Sequence, residues 1–431
     1  MADRRLDVDV LVVGGGFGGA TMARHLERRT RGNGRFLLVA PENFLLFAPL
    51  LPEAASGTIE PRHAVIPHRE MLRRTQLLCG QVTSVDVDAR TAAATDIDGV
   101  SHVITYRTLV LAPGSVPTVL PVPGLVENAV GFKSLADAIW LRNRVLRQLE
   151  AAEATDDLQR RRELLTFTFV GGGYAGVEAL AELESLATDA LRLYPRLARS
   201  DLRWVLVEAQ ETLLPGLNPR LARYVQANLE RRDVEVRLST RLSSCVDKVV
   251  TLSDASVTPY LSETIVWTTG QRPSPLVAGL GLPLDQRGRL SVGFDLRVVD
   301  HPDVFALGDA AAVPDRDGGT SPGTAQHAVR QAAICARNVA ASLGHGSPAR
   351  FDHRNIGLAV TLGRGAGVAE VRRVLVRGRL AWWMGRSYHL LATPGLARKA
   401  RLVADWTVAL FFRRDVAQLG SLGRPTPPFG G

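Results

Sequence analysis

Cysteine is nearly absent from this chain. Three occur in 431 residues, Cys79, Cys245 and Cys335, far apart and with no Cys-x-x-Cys pair. That spacing supports neither a disulfide framework nor a clustered metal site, so none is expected, and it points to a reducing compartment. Long apolar runs are missing too: no stretch of about 18 apolar residues occurs, and none reads as a bilayer span. The opening residues, Met1 to Asp9, carry two arginines and three aspartates and lack the apolar core of a secretory leader. Nor does most of the chain carry an excess of either charge. Residues 350–431 hold 14 basic against 4 acidic residues, leaving 38 against 39 elsewhere, so the formal charge of +9 belongs to the tail. The length suits a globular enzyme of two or three domains.

What the chain does have is glycine in two matching patterns. Gly14-Gly15-Gly16-Phe17-Gly18-Gly19 follows an apolar strand read at Val8 to Val13. Gly171-Gly172-Gly173-Tyr174-Ala175-Gly176 follows another at Leu165 to Val170. In such a pattern the first glycine makes a tight strand-to-helix turn, the second lets backbone approach a pyrophosphate, and the third packs helix on strand. The helix N-terminus then faces the phosphates. One copy is equally a glycine-rich turn without a ligand. Two copies, each with its strand and helix, point to two dinucleotides held face to face for electron transfer.

Around these motifs the chain reads as an α/β protein in four stretches. Residues 1–117 run from strand to glycine turn, helix, a strand at Arg35 to Ala40, and short strands ending at Ala112-Pro113-Gly114. Pro117, Pro121 and Pro123 mark a linker. Residues 118–270 hold the second motif, a strand ending at Glu208, and Thr264 to Gly270. Residues 271–349 carry Val304 to Ala310 and a helix from about Thr324. The first and third stretches form one nucleotide domain interrupted by the second.

The tail, 350–431, interleaves arginines with Trp382, Trp383, Tyr388, Leu390, Leu391, Val403, Trp406, Phe411 and Phe412. Basic heads beside apolar bulk suit a segment lying in the headgroup region of an anionic membrane surface better than nucleic acid. On a helix from Leu396 to Arg414, Leu396, Val403, Trp406 and Leu410 share one side, and Arg398, Arg401 and Asp405 another. Docking on its own domain, or on a second copy in a homodimer, is the plainer reading of such a helix.

Ala112-Pro113-Gly114, Trp267-Thr268-Thr269-Gly270-Gln271-Arg272-Pro273, Leu307-Gly308-Asp309-Ala310 and Thr324-Ala325-Gln326 resemble the signposts of the two-dinucleotide flavoprotein reductases. Pro41 to Pro52, Gly171 to Glu178, Asn355 to Arg364 and Arg379 to Trp383 bring the likeness closer to the type II NADH:quinone oxidoreductases, over nearly the whole chain. The resemblance implies two Rossmann-like domains, the FAD domain interrupted by the NADH domain, plus a C-terminal amphipathic-helix membrane region. It implies FAD at Gly14, Gly16, Phe17, Gly19, Glu42, Ala112, Gly114, Gly308, Asp309 and Gln326. Asp309 would accept hydrogen bonds from ribityl hydroxyls. It implies NADH at Gly171, Gly173, Tyr174, Gly176, Glu178, Glu208 and Gly270. Glu208 would accept from the ribose diol and repel a 2′-phosphate.

Glu178, in the first turn of the second motif's helix, would position the nicotinamide or relay a proton. Gln326 would touch a quinone headgroup. Two departures stand out: Ala40 occupies the usual place of a ribose-binding acid, with Glu42 two residues on, and Arg330 replaces a second motif glutamine. Reductases of disulfides need a cysteine pair that this chain does not offer. The expected function is hydride transfer from NADH to FAD, then two electrons to a membrane quinone without proton pumping, on the cytoplasmic face of the cell membrane as a peripheral, monotopic enzyme. A soluble diaphorase or ferredoxin-type reductase is the alternative within enzymes. A nucleotide-dependent sensor with a nucleic-acid-binding tail is the alternative outside them.

Overall fold

The computed structural model describes residues 4–316, 318–353 and 357–418. Asn355 and Ile356 of the tail motif, and the tail's residues 419–431, lie outside the described residues. The chain divides into two compact units: Met1–Phe47, Val65–Val116 and Gln271–Asn355 in the first, and Ala48–Ala64, Pro117–Gly270 and Ile356–Gly431 in the second.

In the first unit, β1 (Arg4–Val13) leads through the glycine turn into α1 (Phe17–Arg29) and on to β2 (Phe36–Ala40). β1 pairs in parallel with β2 on one side and with Ser101–Leu111 on the other. Gln76–Asp86 extends this parallel sheet beyond β2, and His301–Ala306 extends it beyond Ser101–Leu111. An antiparallel meander through Thr91–Asp96 joins Gln76–Asp86 back to Ser101–Leu111. Strands covered on both faces read as continuous apolar runs, and Phe36 to Ala40 are all buried. β1 begins four residues before its apolar run, because ladder bonds from Arg4↔His102 to Val8↔Tyr106 are made by backbone alone. The helix Ala325–Ser342 packs its buried Ala332, Cys335, Ala336 and Val339 into the same core as β1.

The second unit has a five-stranded parallel sheet in the order Val234–Arg237, β4 (Arg203–Val207), β3 (Thr166–Val170), Thr264–Trp267, Ala129–Gly131. Phe167 and Trp204 stack in its core with ring centroids 4.4 Å apart. α2 (Tyr174–Ala190) follows β3 directly after the second glycine turn. An antiparallel three-stranded sheet, Gly357–Thr361, Gly367–Val371 and Val374–Arg377, leads into α3 (Arg379–Ala392) and α4 (Leu396–Phe411).

Candidate functional site

Each glycine turn is closed at two points and open at one. In the first, Gly14 has φ +103°, and a Cβ there would lie 2.2 Å from the Ala112 carbonyl oxygen. One on Gly19 would lie 1.9 Å from the Gly14 oxygen. These positions tolerate no side chain. Gly16 meets nothing within 4 Å, and it starts α1 with no side-chain cap. The second turn repeats the pattern. Gly171 has φ +117°, a Cβ on Gly176 would sit 2.0 Å from the Gly171 oxygen, and Gly173 opens onto free space at the uncapped start of α2. Uncapped N–H groups beside an open glycine are what a pyrophosphate requires.

Beside the first turn, His301–Ala306 is followed, after Leu307, by Gly308, with φ +73°, and Asp309. Gly308 N–H donates to Gln331 Oε1 at 2.8 Å, and the Ser115 hydroxyl donates to Asp309 Oδ2 at 2.6 Å. A Cβ on Gly323 would come within 3.0 Å of Asp309 Oδ1, and Gly114 turns with φ +70°. Phe17 meets Phe47 edge-on at 5.5 Å. Ala112 is buried and Glu42 is exposed. At Ala40 the expected acid is replaced by crowding. A Cβ on Gly15 would lie 2.5 Å from His68 Nε2 and 2.7 Å from Ala40 Cβ, and burial pushes His68 down to about 4. Gln326 is the second residue of its helix, half-buried, with its carbonyl accepting from Arg330 Nη1 at 2.9 Å. Cys335 on the same helix is fully buried, and burial pushes its thiol up.

At the second turn, Glu208 follows β4 directly and folds back. Gly172 N–H donates to its Oε2 at 2.5 Å, and Gln210 N–H to its Oε1 at 2.8 Å. The carboxylate is thus fixed to the loop that would carry a pyrophosphate. Gly270, with φ +69°, follows Thr264–Trp267, the strand paired with β3. Tyr174 is half-buried, and burial pushes its phenol up to about 12. Glu178, four residues further along α2, presents Oε1 to two donors of Thr361, the backbone N–H at 2.8 Å and the hydroxyl at 3.2 Å. Burial, strengthened by Glu182 and Glu53, pushes its carboxyl up to about 8 despite those donors.

The second unit also contains a buried charge cluster. Arg386 Nε of α3 donates to Glu53 Oε1 at 3.0 Å, and Trp406 Nε1 of α4 donates to Glu53 Oε2 at 2.5 Å. The Arg386 guanidinium lies 3.8 Å from the Trp382 ring centre and 5.1 Å from that of Trp406. Arg414 pairs with Glu182 at 3.0 Å. This corrects the expected polarity of the last helix, which ends at Phe411. Trp406 lies on the buried side with Leu402 and Arg398, while Leu396, Val403 and Leu410 face outward. The reason is that Arg398 and Trp406 carry donors, and both find acceptors within the unit: Trp406 reaches the buried Glu53, and Arg398 Nη1 reaches the Arg62 carbonyl at 2.7 Å. Asp405 likewise turns inward to His63 Nδ1 at 2.5 Å.

The sequence reading did not single out Ser115, Gln331, Thr361 or Glu53. Ser115 follows Ala112-Pro113-Gly114 directly, and Glu53 is an acid set in the apolar run Phe44 to Ala55. Those were the available signals. Thr361 carries none beyond its place in the tail motif.

Two sheets, each with a parallel strand that runs into an open glycine cradle at a helix start, define an oxidoreductase class built on two dinucleotides. Residues 8–332 match the pyridine nucleotide-disulphide oxidoreductase family. The type II NADH:quinone oxidoreductase Ndh of Mycobacterium tuberculosis is 32% identical over 418 residues, covering 94% of this chain and 88% of that protein. The demethylphylloquinone reductase NdbB of a Synechocystis strain is 28% identical, covering 92% and 97%. The NDH2 structure from Plasmodium falciparum in complex with RYL-552 superposes with a TM-score of 0.88 at 17% identity, covering 96% of this chain and all of that one. The chain belongs to the pyridine nucleotide-disulphide oxidoreductases and, within them, to the type II NADH:quinone oxidoreductases.

Proposed function

We propose that this enzyme binds NADH at its second glycine cradle and FAD at its first, passes a hydride between them and then two electrons to a membrane quinone, without moving protons across the bilayer. It is an FAD-dependent oxidoreductase that carries electrons from NADH to a quinone, as its family membership entails. The carrying observation in the structure is the doubled cradle, with Gly16 and Gly173 each open at an uncapped helix start. When bound, FAD supplies the hydride acceptor and the electron relay.

The chain's own residues supply binding and protons. The first turn of α1, with Gly14, Gly16 and Gly19, holds the FAD pyrophosphate, and Asp309, oriented by Ser115, accepts from the ribityl hydroxyls. α2, with Gly171, Gly173 and Gly176, holds the NADH pyrophosphate. Glu208 accepts from the ribose diol, and its negative charge disfavours a 2′-phosphate. Glu178 holds a proton at neutral pH and gives it up for quinol formation. Gln326 contacts the quinone headgroup.

Attachment to the cytoplasmic face of the cell membrane is part of the same proposal. Among the described residues no helix is long and apolar enough to cross a membrane. The outward faces of α3 and α4 nonetheless leave Leu391 76%, Leu396 86% and Phe411 80% exposed. Arg372, Arg373, Arg377 and Arg379 are exposed on the same tail. Apolar side chains flanked by arginine suit the headgroup boundary of an anionic bilayer. The same faces would serve a homodimer.

The test is direct. Purified protein should be yellow, should bleach on anaerobic addition of NADH, and should oxidise NADH faster than NADPH with a soluble quinone analogue. A colourless protein that leaves NADH untouched would overturn the function.

A further inference from the structure

The overall reaction, NADH + quinone + H⁺ → NAD⁺ + quinol, consumes one proton that the nicotinamide does not carry. The hydride accounts for two electrons and one proton, and the second proton comes from water through the protein. If Glu178 is the group that delivers it, the carboxylate left behind must be tolerated in a largely buried position until it is reprotonated. The two oxygens of Glu178 are not equivalent. Oε1 accepts both the Thr361 N–H at 2.8 Å and the Thr361 hydroxyl at 3.2 Å, whereas among the described residues no group bonds Oε2. One oxygen is anchored and the other is left to carry the proton.

We propose that Thr361, at the end of the Gly357–Thr361 strand, is a positioning residue for proton delivery: it clamps Oε1 of Glu178, orients Oε2–H for transfer, and stabilises the carboxylate that transfer leaves. The inference rests on the proton-carrying role of Glu178 stated above. A donor to the charged form favours ionisation, so Thr361 works against the burial that keeps the group protonated. The other charges around Glu178 do not replace it. Tyr174 and Glu182 lie on its own helix, Glu53 on Leu51–Ala55, and Glu370 on Gly367–Val371. The cations in this neighbourhood are engaged elsewhere: Arg386 and Arg414 are paired to Glu53 and Glu182, and Arg232, which donates to the Leu362 and Ala181 carbonyls, is paired to Glu184. Thr361 therefore donates both hydrogen bonds that Glu178 accepts among the described residues.

Thr361→Val removes the hydroxyl and keeps the backbone donor, Thr361→Ala repeats the deletion should valine disturb the strand, and Thr361→Ser restores the hydroxyl. The readout is the infrared carboxyl band of Glu178, identified by its loss in Glu178→Gln and titrated in holoenzyme without substrate, alongside the pH profile of kcat. The expected result is a titration midpoint about half a unit higher in the valine and alanine variants, an alkaline limb of kcat that moves with it, and the ordinary values in the serine variant. A band and limb that stay put in both hydroxyl-free variants, while Glu178→Gln abolishes them, would overturn the role of Thr361 alone. A Glu178→Gln enzyme with an ordinary kcat profile would overturn the role of Glu178, and this inference with it.

Discussion

The open glycines separate ligand binding from folding at single residues. Gly16 and Gly173 have φ of −75° and −74°, ordinary for any residue, and nothing within 4 Å of a Cβ. Gly16→Ala and Gly173→Ala should therefore fold as the parent does. In each, the added methyl fills the approach to a pyrophosphate, so FAD affinity should fall in the first and NADH affinity in the second, by roughly 10–100-fold, about 1.4–2.8 kcal/mol. Calorimetric titration with each nucleotide checks this, and unaltered affinity would sink the assignment of that cradle. Gly19→Ala is the contrasting case: its Cβ would sit 1.9 Å from the Gly14 oxygen. Overpacking there should cost about 1–3 kcal/mol or more before any ligand is added.

Glu178 makes a second residue-scale prediction through pH. Its carboxyl is pushed up to about 8 by burial, against an ordinary value of about 4.3 in the unfolded chain. Between those values the folded state holds a proton that the unfolded state has lost. The resulting stability is fully present below about pH 4 and is lost as pH rises through 8. Glutamine at 178 does not titrate. The melting temperature of Glu178→Gln should gain on that of the parent as pH rises from 5 to 9, and parallel melting curves over that interval would contradict the raised value.

At the scale of elements, the joint between the Leu51–Ala55 helix and the tail helices is made of charge rather than of apolar packing alone. Arg386 and Glu53 are both 4% exposed at the side chain. Removing one partner strands the other, which typically costs about 3–5 kcal/mol, whereas removing both charges is often neutral. Arg386→Met should therefore lower the denaturation free energy by about that amount, and the double variant Glu53→Gln/Arg386→Met should recover much of it, since glutamine still accepts from Trp406 Nε1. Denaturant unfolding of the four proteins in the cycle decides it, and additive losses would show that the pair is not coupled.

The same joint marks the limit of what the sequence reveals. The parallel strands and the helices after each glycine turn were legible because Val10 to Val13 is a continuous apolar run, Leu165 to Val170 is apolar but for Thr166 and Thr168, and the glycines punctuate both. The inward side of α4 was not. Hydropathy assigns Arg398 and Asp405 to solvent, but their partners lie in Arg62 and His63. Glu53 meets Arg386 and Trp406 across 333 and 353 residues of chain. No local pattern encodes a hydrogen bond at that separation. Thr361 was hidden for the same reason, since its partner Glu178 is 183 residues away.

For the whole molecule, the question is whether the tail carries the enzyme to a membrane or only completes its fold. Deleting residues 350–431 would confuse the two, because it removes Arg386, Trp406 and Arg414 and leaves Glu53 and Glu182 buried without their partners. Surface substitutions separate them. Leu391, Leu396 and Phe411 point outward and are 76–86% exposed, so Leu391→Ser, Leu396→Ser and Phe411→Ser together should leave the melting temperature close to that of the parent. If these side chains enter the bilayer boundary at about 1–2 kcal/mol each, their loss should weaken sedimentation with anionic vesicles by at least about a hundredfold. The arginines contribute on the order of 1 kcal/mol each near a charged surface. That contribution is screened by salt within a Debye length of about 10 Å at 0.1 M, so parent binding should fall with ionic strength while the apolar contribution persists. A triple variant that sediments as the parent does would place the anchor elsewhere. One that instead turns a dimer into a monomer, with vesicle binding intact, would assign these faces to a second copy of the chain.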